Sequence, residues 1–280
     1  MKNNLFIIIG LLVFISACDV NKPTTDELYI KQIYLVNAQN VVYKRDVKYS
    51  SEPQQTSLSV ATGGSTLIDR DVLVAFDLDN QQAIENYNWK YIPIGNPTYR
   101  SLESAMYTFP ESTVIEANNV YKEVFFTLFA TDGLQCDSLY SIPISIKSVS
   151  EYEINKTSPV LLFTLNLVNN YDGNYIVNGT DTDAWNNVEA YSNTRVVKAT
   201  GEFSVRVLHK NVEENLSNVK AYAVVLTVDP LSNKIKVSAW DSFPIVDGGG
   251  VYDPLNKTFD VWYIYMDGVS ERKIEFKLTK

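Results

Sequence analysis

Apolar and polar side chains alternate with a period of two over most of the chain after residue 27. Residues 71–78 place four apolar side chains on one face, those of Val72, Val74, Phe76 and Leu78. This period is typical of a β-strand that buries one face. Residues 123–130 are apolar on both faces, which predicts a strand in the middle of a sheet.

The same alternation predicts further strands at residues 141–147, 161–168, 201–209, 220–228, 234–240, 258–266 and 272–279. Pro143 has no N–H to donate to a neighbouring strand, so its strand is expected at a sheet edge or at a bulge. Residues 83–89 allow one helical turn, and Trp89 and Tyr91 are expected in a loop. No long helical period follows the N-terminal segment, so the sequence predicts an all-β protein.

Turn-forming residues divide the predicted strands into two blocks. A cluster of Asn, Asp and Gly at residues 169–174 predicts a boundary. We therefore expect two domains, residues 27–165 and residues 166–280. The first is predicted to be a β-sandwich, and the second an antiparallel β-sandwich or a closed barrel, two alternatives between which the pattern does not choose.

Two hairpin turns are predicted in the second block. Residues 228–234 and 252–257 both contain Asp-Pro, which suits the first two positions of a type I turn because the proline ring presets φ. Gly248-Gly249-Gly250 is predicted to form a flexible loop beside the second turn.

The first seventeen residues have the pattern of a secretory signal peptide. Lys2 precedes an unbroken apolar run at residues 5–15, which ends in Ser16-Ala17 before Cys18. The run is shorter than the roughly 20 residues of a spanning helix. Ile15-Ser16-Ala17-Cys18 resembles the bacterial lipobox, which predicts lipidation of Cys18; the alternative is an ordinary cleaved signal with an incidental cysteine. Residues 18–26 are then a lipid-anchored tether.

Composition narrows the classes of function. The chain of 280 residues is 45% hydrophobic with a net charge of −9, which indicates a globular protein and argues against nucleic-acid binding. With Cys18 lipidated, Cys136 is the remaining thiol and is expected to be a half-buried structural residue. The single histidine, His209, is interpreted as a strand-end residue, so zinc sites and Ser/Cys–His triads are not predicted, and no cofactor is expected.

Aromatic residues are the strongest candidates for ligand contacts. The chain has 18 Tyr and 4 Trp, and saccharide-binding modules stack aromatic faces on the apolar C–H surface of pyranose rings. Trp89 and Tyr91 lie beside a Pro/Gly-rich stretch, and Trp185 lies among Asp and Asn residues. These three are the predicted ligand-binding residues. Trp240 and Trp262 fall on predicted strands, where packing is the expected role and an exposed platform the alternative.

Acidic residues offer weaker signals. Residues 178–183 place oxygen ligands at alternate positions, as a Ca²⁺ loop does, but the later bidentate Glu is missing, so an acidic surface turn at Asp181 and Asp183 is expected instead. A pair of carboxylates suited to glycoside hydrolysis is a spatial arrangement that the sequence does not reveal.

Several segments, taken in their order along the chain, resemble those of a known family. They are Met106–Pro110 (Met-Tyr-Thr-Phe-Pro), residues 112–117, the strand at residues 124–129 and Leu-Tyr-Ser-Ile-Pro-Ile-Ser-Ile-Lys-Ser at residues 139–148. Together they resemble the N-terminal immunoglobulin-like domain of unknown function in Bacteroidetes surface lipoproteins. The segment at residues 165–175 and the closing Phe-Asp-Val-Trp-Tyr-Ile-Tyr at residues 259–265 are similar to the C-terminal β-domain of the same proteins.

The resemblance implies a protein of a glycan-uptake system, with no catalytic residues to carry over. We therefore expect a non-enzymatic protein, lipid-anchored in the outer membrane and exposed at the cell surface, with a periplasm-facing position as the alternative. A polysaccharide or oligosaccharide is the expected ligand. The alternative function is a structural or adhesive surface protein that contacts a protein partner in the same complex; an enzyme would need a deep cleft with converging carboxylates.

Overall fold

The computed structural model describes residues 27–280, so Cys18 and the predicted signal and tether lie outside the described residues. These residues form two all-β domains, which confirms the predicted fold class. Within them, no helix is long and apolar enough to cross a membrane.

The N-terminal domain is a sandwich of two sheets. Its strands are β1 (Gln32–Leu35), β2 (Val42–Lys48), β3 (Gln54–Gly63), β4 (Val72–Asp77), β5 (Tyr99–Ser101), β6 (Tyr107–Thr108), β7 (Ser112–Ile115), β8 (Tyr121–Leu128), β9 (Leu139–Val149), β10 (Glu153–Ile154) and β11 (Val160–Val168). One sheet has the order β10-β1-β3-β8-β6, and the other has the order β2-β11-β9-β4-β7 with β5 beside β9. Strand β2 joins β11 in parallel, although the two are more than a hundred residues apart.

The core lies between these sheets. Its most buried side chains include Ile33, Val60, Val72, Ile142 and Phe163. The alternation in β4 is confirmed, because Val72, Val74 and Phe76 all face this core. In β8 the prediction of two apolar faces was wrong: Phe126 is buried and Phe125 is half exposed, so one face of this strand meets solvent.

Pro143 does not lie on an edge strand. Strand β9 pairs with β11 on one side, where Pro143 is opposite Leu162. On its other side β9 pairs with β5 up to Ser141 and with β4 only from Ser145 onward. The proline therefore lies where the second neighbour changes, and a missing donor is tolerated at such a gap.

A helix replaces the predicted loop around Trp89. Helix α1 (Gln81–Tyr91) begins at Asn80, whose side chain accepts a hydrogen bond from the Ala83 N–H at 3.2 Å. Only Ile84 among its residues is buried, so the helix lacks the apolar period by which sequence analysis detects helices.

The C-terminal domain is a closed antiparallel barrel of eight strands, which decides between the two predicted architectures. The strands are β12 (Gly173–Thr182), β13 (Val188–Gly201), β14 (Ser204–Leu208), β15 (Ala223–Val228), β16 (Lys234–Ala239), β17 (Ile245–Asp253), β18 (Thr258–Asp267) and β19 (Ser270–Thr279), with helix α2 (Leu216–Tyr222) before β15. The barrel closes because β12 pairs with β19, from Ile176 opposite Thr279 to Thr182 opposite Lys273.

The observed strand limits differ from two expectations, the position of the domain boundary and the loop at residues 248–250. The predicted domain boundary between residues 165 and 166 falls inside β11, which stays paired with β2 as far as Val168. Gly248-Gly249-Gly250 is not a flexible loop, because all three residues lie within β17 and pair with β18. The two Asp-Pro turns are confirmed as the connections β15–β16 and β17–β18.

Candidate functional site

A cleft of about 740 Å³ lies where the two domains meet. The sandwich contributes the loop Gly95-Asn96-Pro97 together with Asp137 and Leu139. The barrel contributes Lys198, Glu214, Asn215, Ser217 and Val219. Domain junctions are a common location for small-ligand sites, because two rigid bodies form the walls.

The loop on the sandwich side is fastened at its base to helix α1. The Tyr99 N–H donates to Asn88 Oδ1 at 2.8 Å, and Asn88 Nδ2 donates to the Tyr99 carbonyl at 2.7 Å. Within the loop, the Asn96 N–H donates to the Pro93 carbonyl at 3.1 Å. The rim of the cleft and the last turn of the helix are therefore one local unit.

An ion-pair cluster joins the two walls of the cleft. The side chain of Arg206, only 2% exposed, donates from Nη2 to Asp137 Oδ1 at 2.9 Å and contacts Glu214 at 3.4 Å. Its guanidinium lies over the Trp240 ring at 4.8 Å. Lys198 Nζ donates to the same Asp137 oxygen at 2.8 Å. Packing is thus the role of Trp240, as expected.

These contacts set the ionisation of the cluster. Burial alone would raise the pKa of Asp137, but the hydrogen bonds from Arg206 and Lys198 outweigh it and lower the pKa to about 2. Burial also raises the pKa of the neighbouring Cys136 thiol. Cys136 is half-buried, as predicted, and is poorly suited to act as a nucleophile.

Trp89 and Tyr91 lie on the last turn of α1, just before the cleft loop. Trp89 is 87% exposed and Tyr91 is 52% exposed. Residues two apart on a helix point about 160° away from each other, so these rings do not form one platform. Tyr91 instead packs against Tyr87, with ring centroids 4.9 Å apart.

Trp185 lies at the tip of the β12–β13 hairpin and is 77% exposed. Asp183 orders this tip, since its Oδ1 accepts the N–H groups of Trp185 at 2.9 Å and Asn187 at 2.8 Å. The tip adjoins the start of β13, whereas Lys198 lies ten residues further along, roughly 30 Å away at the usual strand rise. The structure therefore does not bring Trp185 to the cleft.

Asp181 is not a surface residue, which corrects the expectation of an acidic surface turn. It is 1% exposed and pairs with Lys210 Nζ at 2.7 Å and Arg272 Nε at 2.9 Å. Its oxygens are therefore engaged by cations. Among residues 27–280, no group of three or more His, Cys, Asp or Glu side chains is placed to hold a metal ion.

His209 is more than a strand-end residue. It is buried at one end of the barrel, where its Nδ1 lies 2.6 Å from the Tyr263 hydroxyl and its ring packs on Phe243 and Tyr265. Burial and the charge of Lys210 lower the pKa of His209 to about 4, so it is neutral at pH 7.

Sequence analysis missed the charged residues of the cleft. Asp137 and Arg206 are 69 residues apart in the chain and belong to different domains. A charged residue on a predicted strand is ordinarily taken to face solvent, and Arg206 was not singled out. A signal existed only in its position, since Arg206 lies between the apolar Val205 and Val207 in a short, otherwise buried strand.

Comparisons with known proteins agree with this architecture. A family model described as an N-terminal domain matches residues 27–153, and a model described as C-terminal matches residues 159–280. Among curated proteins, none matches the sequence.

Solved structures from Bacteroides share the two-domain fold. A multidomain protein from Bacteroides ovatus that includes DUF1735 has a TM-score of 0.64 at 15% identity, covering 89% of this chain and 94% of that one. An auxiliary nutrient binding protein from Bacteroides thetaiotaomicron has a TM-score of 0.59 at 14% identity, covering 87% and 92%. At these identities the likeness concerns the fold. Because the two family models account for nearly all of residues 27–280 in order, the chain belongs to the two-domain Bacteroidetes family, with an immunoglobulin-like first domain and a β-domain after it, that its sequence resembles.

Proposed function

We propose that this chain is a lipid-anchored outer-membrane protein that binds a polysaccharide or oligosaccharide without cleaving it, as part of a glycan-acquisition system. The observation that carries the proposal is the interdomain cleft, which polar and apolar residues of both domains line together. The auxiliary nutrient binding protein of the same fold supports it.

The chemistry of the cleft suits a sugar. Saccharides present hydroxyl groups, which need hydrogen-bond partners, and C–H faces, which favour apolar contact. Asn96, Asn215 and Ser217 supply amide and hydroxyl groups, while Leu139 and Val219 supply apolar surface. The ion pairs of Arg206 hold the two walls in place before a ligand arrives, which reduces the entropy lost on binding.

The ionisation of Asp137 argues for binding without hydrolysis. A glycosidase needs a carboxylic acid that is protonated at its working pH. The pKa of Asp137 is about 2 and its oxygens are bonded to Arg206 and Lys198, so it does not hold a proton near neutral pH.

The proposal includes aromatic side chains outside the cleft as saccharide contacts. Trp89 and Tyr91 lie on the helix to which the cleft loop is hydrogen-bonded. We assign both as contacts for sugar units of the polysaccharide that extend beyond the cleft. Trp185, on its ordered hairpin tip, is proposed as a separate contact.

The test is a binding screen with the full chain purified in detergent. Affinity gels with plant, mucin and microbial polysaccharides identify a ligand, and calorimetry measures its affinity. Ser217→Tyr fills the cleft from an exposed position and is expected to weaken binding at least tenfold. Ser112→Tyr, at an exposed position of strand β7, serves as the matched control. Trp89→Ala, Tyr91→Ala and Trp185→Ala assign the outer contacts. Retardation by none of the polysaccharides would contradict the proposal and favour the protein-contact alternative.

The anchor has its own test. Cells expressing the chain are labelled with an alkyne fatty acid, and Cys18→Ala is expected to abolish labelling and release the protein from the membrane fraction. Protease treatment of intact cells separates the two faces, since a surface-exposed protein is degraded and a periplasm-facing one is protected. Labelling that persists in Cys18→Ala would contradict lipidation at this residue.

A further inference from the structure

We propose that the outer wall of the barrel carries a second binding site, centred on Trp262, for a neutral pyranose. The proposal rests on the saccharide-binding function above and places a sugar at a location separate from the interdomain cleft. It starts from a groove of about 770 Å³ in the wall formed by β12, β19, β18 and β17.

Strand register places polar side chains of β19 and β12 beside Trp262. Glu275 pairs with Trp262 on one side and with Thr180 on the other. Two residues further along β19, Lys277 pairs with Asp260 and Asn178 in the same way. The side chains of Asn178, Thr180, Asp260 and Glu275 line the groove with Trp262. Alternate residues of a strand share a face, so these side chains point away from the barrel core.

Gly249 of β17 leaves room beside the half-buried indole of Trp262. Trp262 is paired with Gly249, and a methyl group at Gly249 would lie 3.7 Å from Trp262 Nε1 and 3.8 Å from Cε2. A larger residue there would cover the indole on this side.

The charges of the groove select the class of sugar. Asp260 Oδ2 lies 3.7 Å from Lys277 Nζ, and Glu275 Oε1 lies 2.8 Å from Lys273 Nζ. Each carboxylate thus has a cation beside it, and no cation of the described part of the chain lines the groove to attract a uronate or a sulfated sugar. A neutral pyranose fits, because its C–H face stacks on the indole while the carboxylates and Asn178 bond its hydroxyls.

The experiment uses the full chain in detergent with laminarin, xylan and mannan as neutral probes and polygalacturonate as the acidic probe. Affinity gels and calorimetry compare the unchanged chain with Trp262→Ala, Trp262→Phe and Asn178→Ala, and circular dichroism monitors folding. Ser217→Tyr removes the cleft contribution in parallel. Asn178 is exposed and Phe keeps a ring at position 262, so both variants inform the result even where Trp262→Ala fails to fold.

We expect Trp262→Ala to weaken binding of at least one neutral polysaccharide tenfold or more, Asn178→Ala to weaken it about threefold, and Trp262→Phe to retain most of it. Equal binding by the unchanged chain and by all three variants would overturn the second site and leave the proposed function standing. A preference for polygalacturonate would overturn the neutral specificity. Absence of binding by the unchanged chain to every saccharide tested would overturn the proposed function and this site with it.

Discussion

Arg206 of the barrel and Asp137 of the sandwich join the two domains through a bidentate ion pair. Arg206 Nη2 lies 2.9 Å from Asp137 Oδ1, and Arg206 Nη1 donates to Asp137 Oδ2. The Arg206 side chain is almost completely buried, whereas Asp137 is 36% exposed. A buried guanidinium is stable only while its partners remain, so the orientation of the domains depends on this contact.

Replacing Asp137 with Asn is expected to lower the free energy of unfolding by about 2 kcal/mol. Loss of one partner from a buried pair costs about 3–5 kcal/mol, and the figure is reduced here because Asp137 is partly exposed and Glu214 remains near Arg206. Urea denaturation measures the change. Lys198→Ala, which removes a more exposed cation from the same carboxylate, is the control and should cost less than about 1 kcal/mol. Equal effects of the two substitutions would contradict this account.

Asp181→Asn is expected to destabilise the barrel by about 3 kcal/mol or more. The substitution leaves Lys210 and Arg272 without their shared, buried anion. Glu189, which contacts Lys210 at 3.1 Å from an exposed position, provides the control, and Glu189→Gln should change stability by less than about 1 kcal/mol. Thermal and urea unfolding of both variants check the difference. A barrel whose stability is unchanged by Asp181→Asn would show that the ion pairs contribute little.

His209 is expected to make stability fall as the pH drops from about 6.5 to about 4. Its pKa is about 4 in the folded chain and about 6.5 when unfolded, so in this window the unfolded chain binds a proton that the folded chain does not. The contribution is present above pH 6.5 and is lost on acidification, at up to about 1.4 kcal/mol per pH unit. Urea denaturation between pH 4 and 7.5 measures the slope, and His209→Gln should flatten it. A slope unchanged by the substitution would assign the pH dependence to other groups.

Gly250→Ala and Gly249→Ala are expected to differ sharply, although the residues are adjacent. A methyl group at Gly250 would meet the Asp260 carbonyl and lie 3.0 Å from Val261 Cα, so β17 must shift, at a cost of about 2 kcal/mol. At Gly249 the nearest atom is 3.4 Å away, and the change should stay within about 1 kcal/mol. Melting temperatures of the two variants provide the measurement. Similar losses would mean that β17 tolerates no side chain at either position.

The helix that carries Trp89 shows how local signals succeed and fail. Asn80 is a good N-cap residue and Pro93 lies soon after the last turn, yet only Ile84 is buried, so the apolar period that identifies helices was absent. Strand β4 has an apolar period of two, because Val72, Val74 and Phe76 alternate with exposed or half-buried residues, and it was predicted within one residue at each end.

The sequence by itself determined that residues 27–280 form two all-β domains, because alternation and turn chemistry are local properties of the chain. Only the tertiary structure decided that the second domain closes into a barrel, since closure depends on Ile176 meeting Thr279 across nearly the whole domain. The same holds for the cleft around Asp137 and Arg206 and for the groove around Trp262. A strand's pattern tells which face is buried, but the partner against which it is buried is chosen by contacts between residues far apart in the chain.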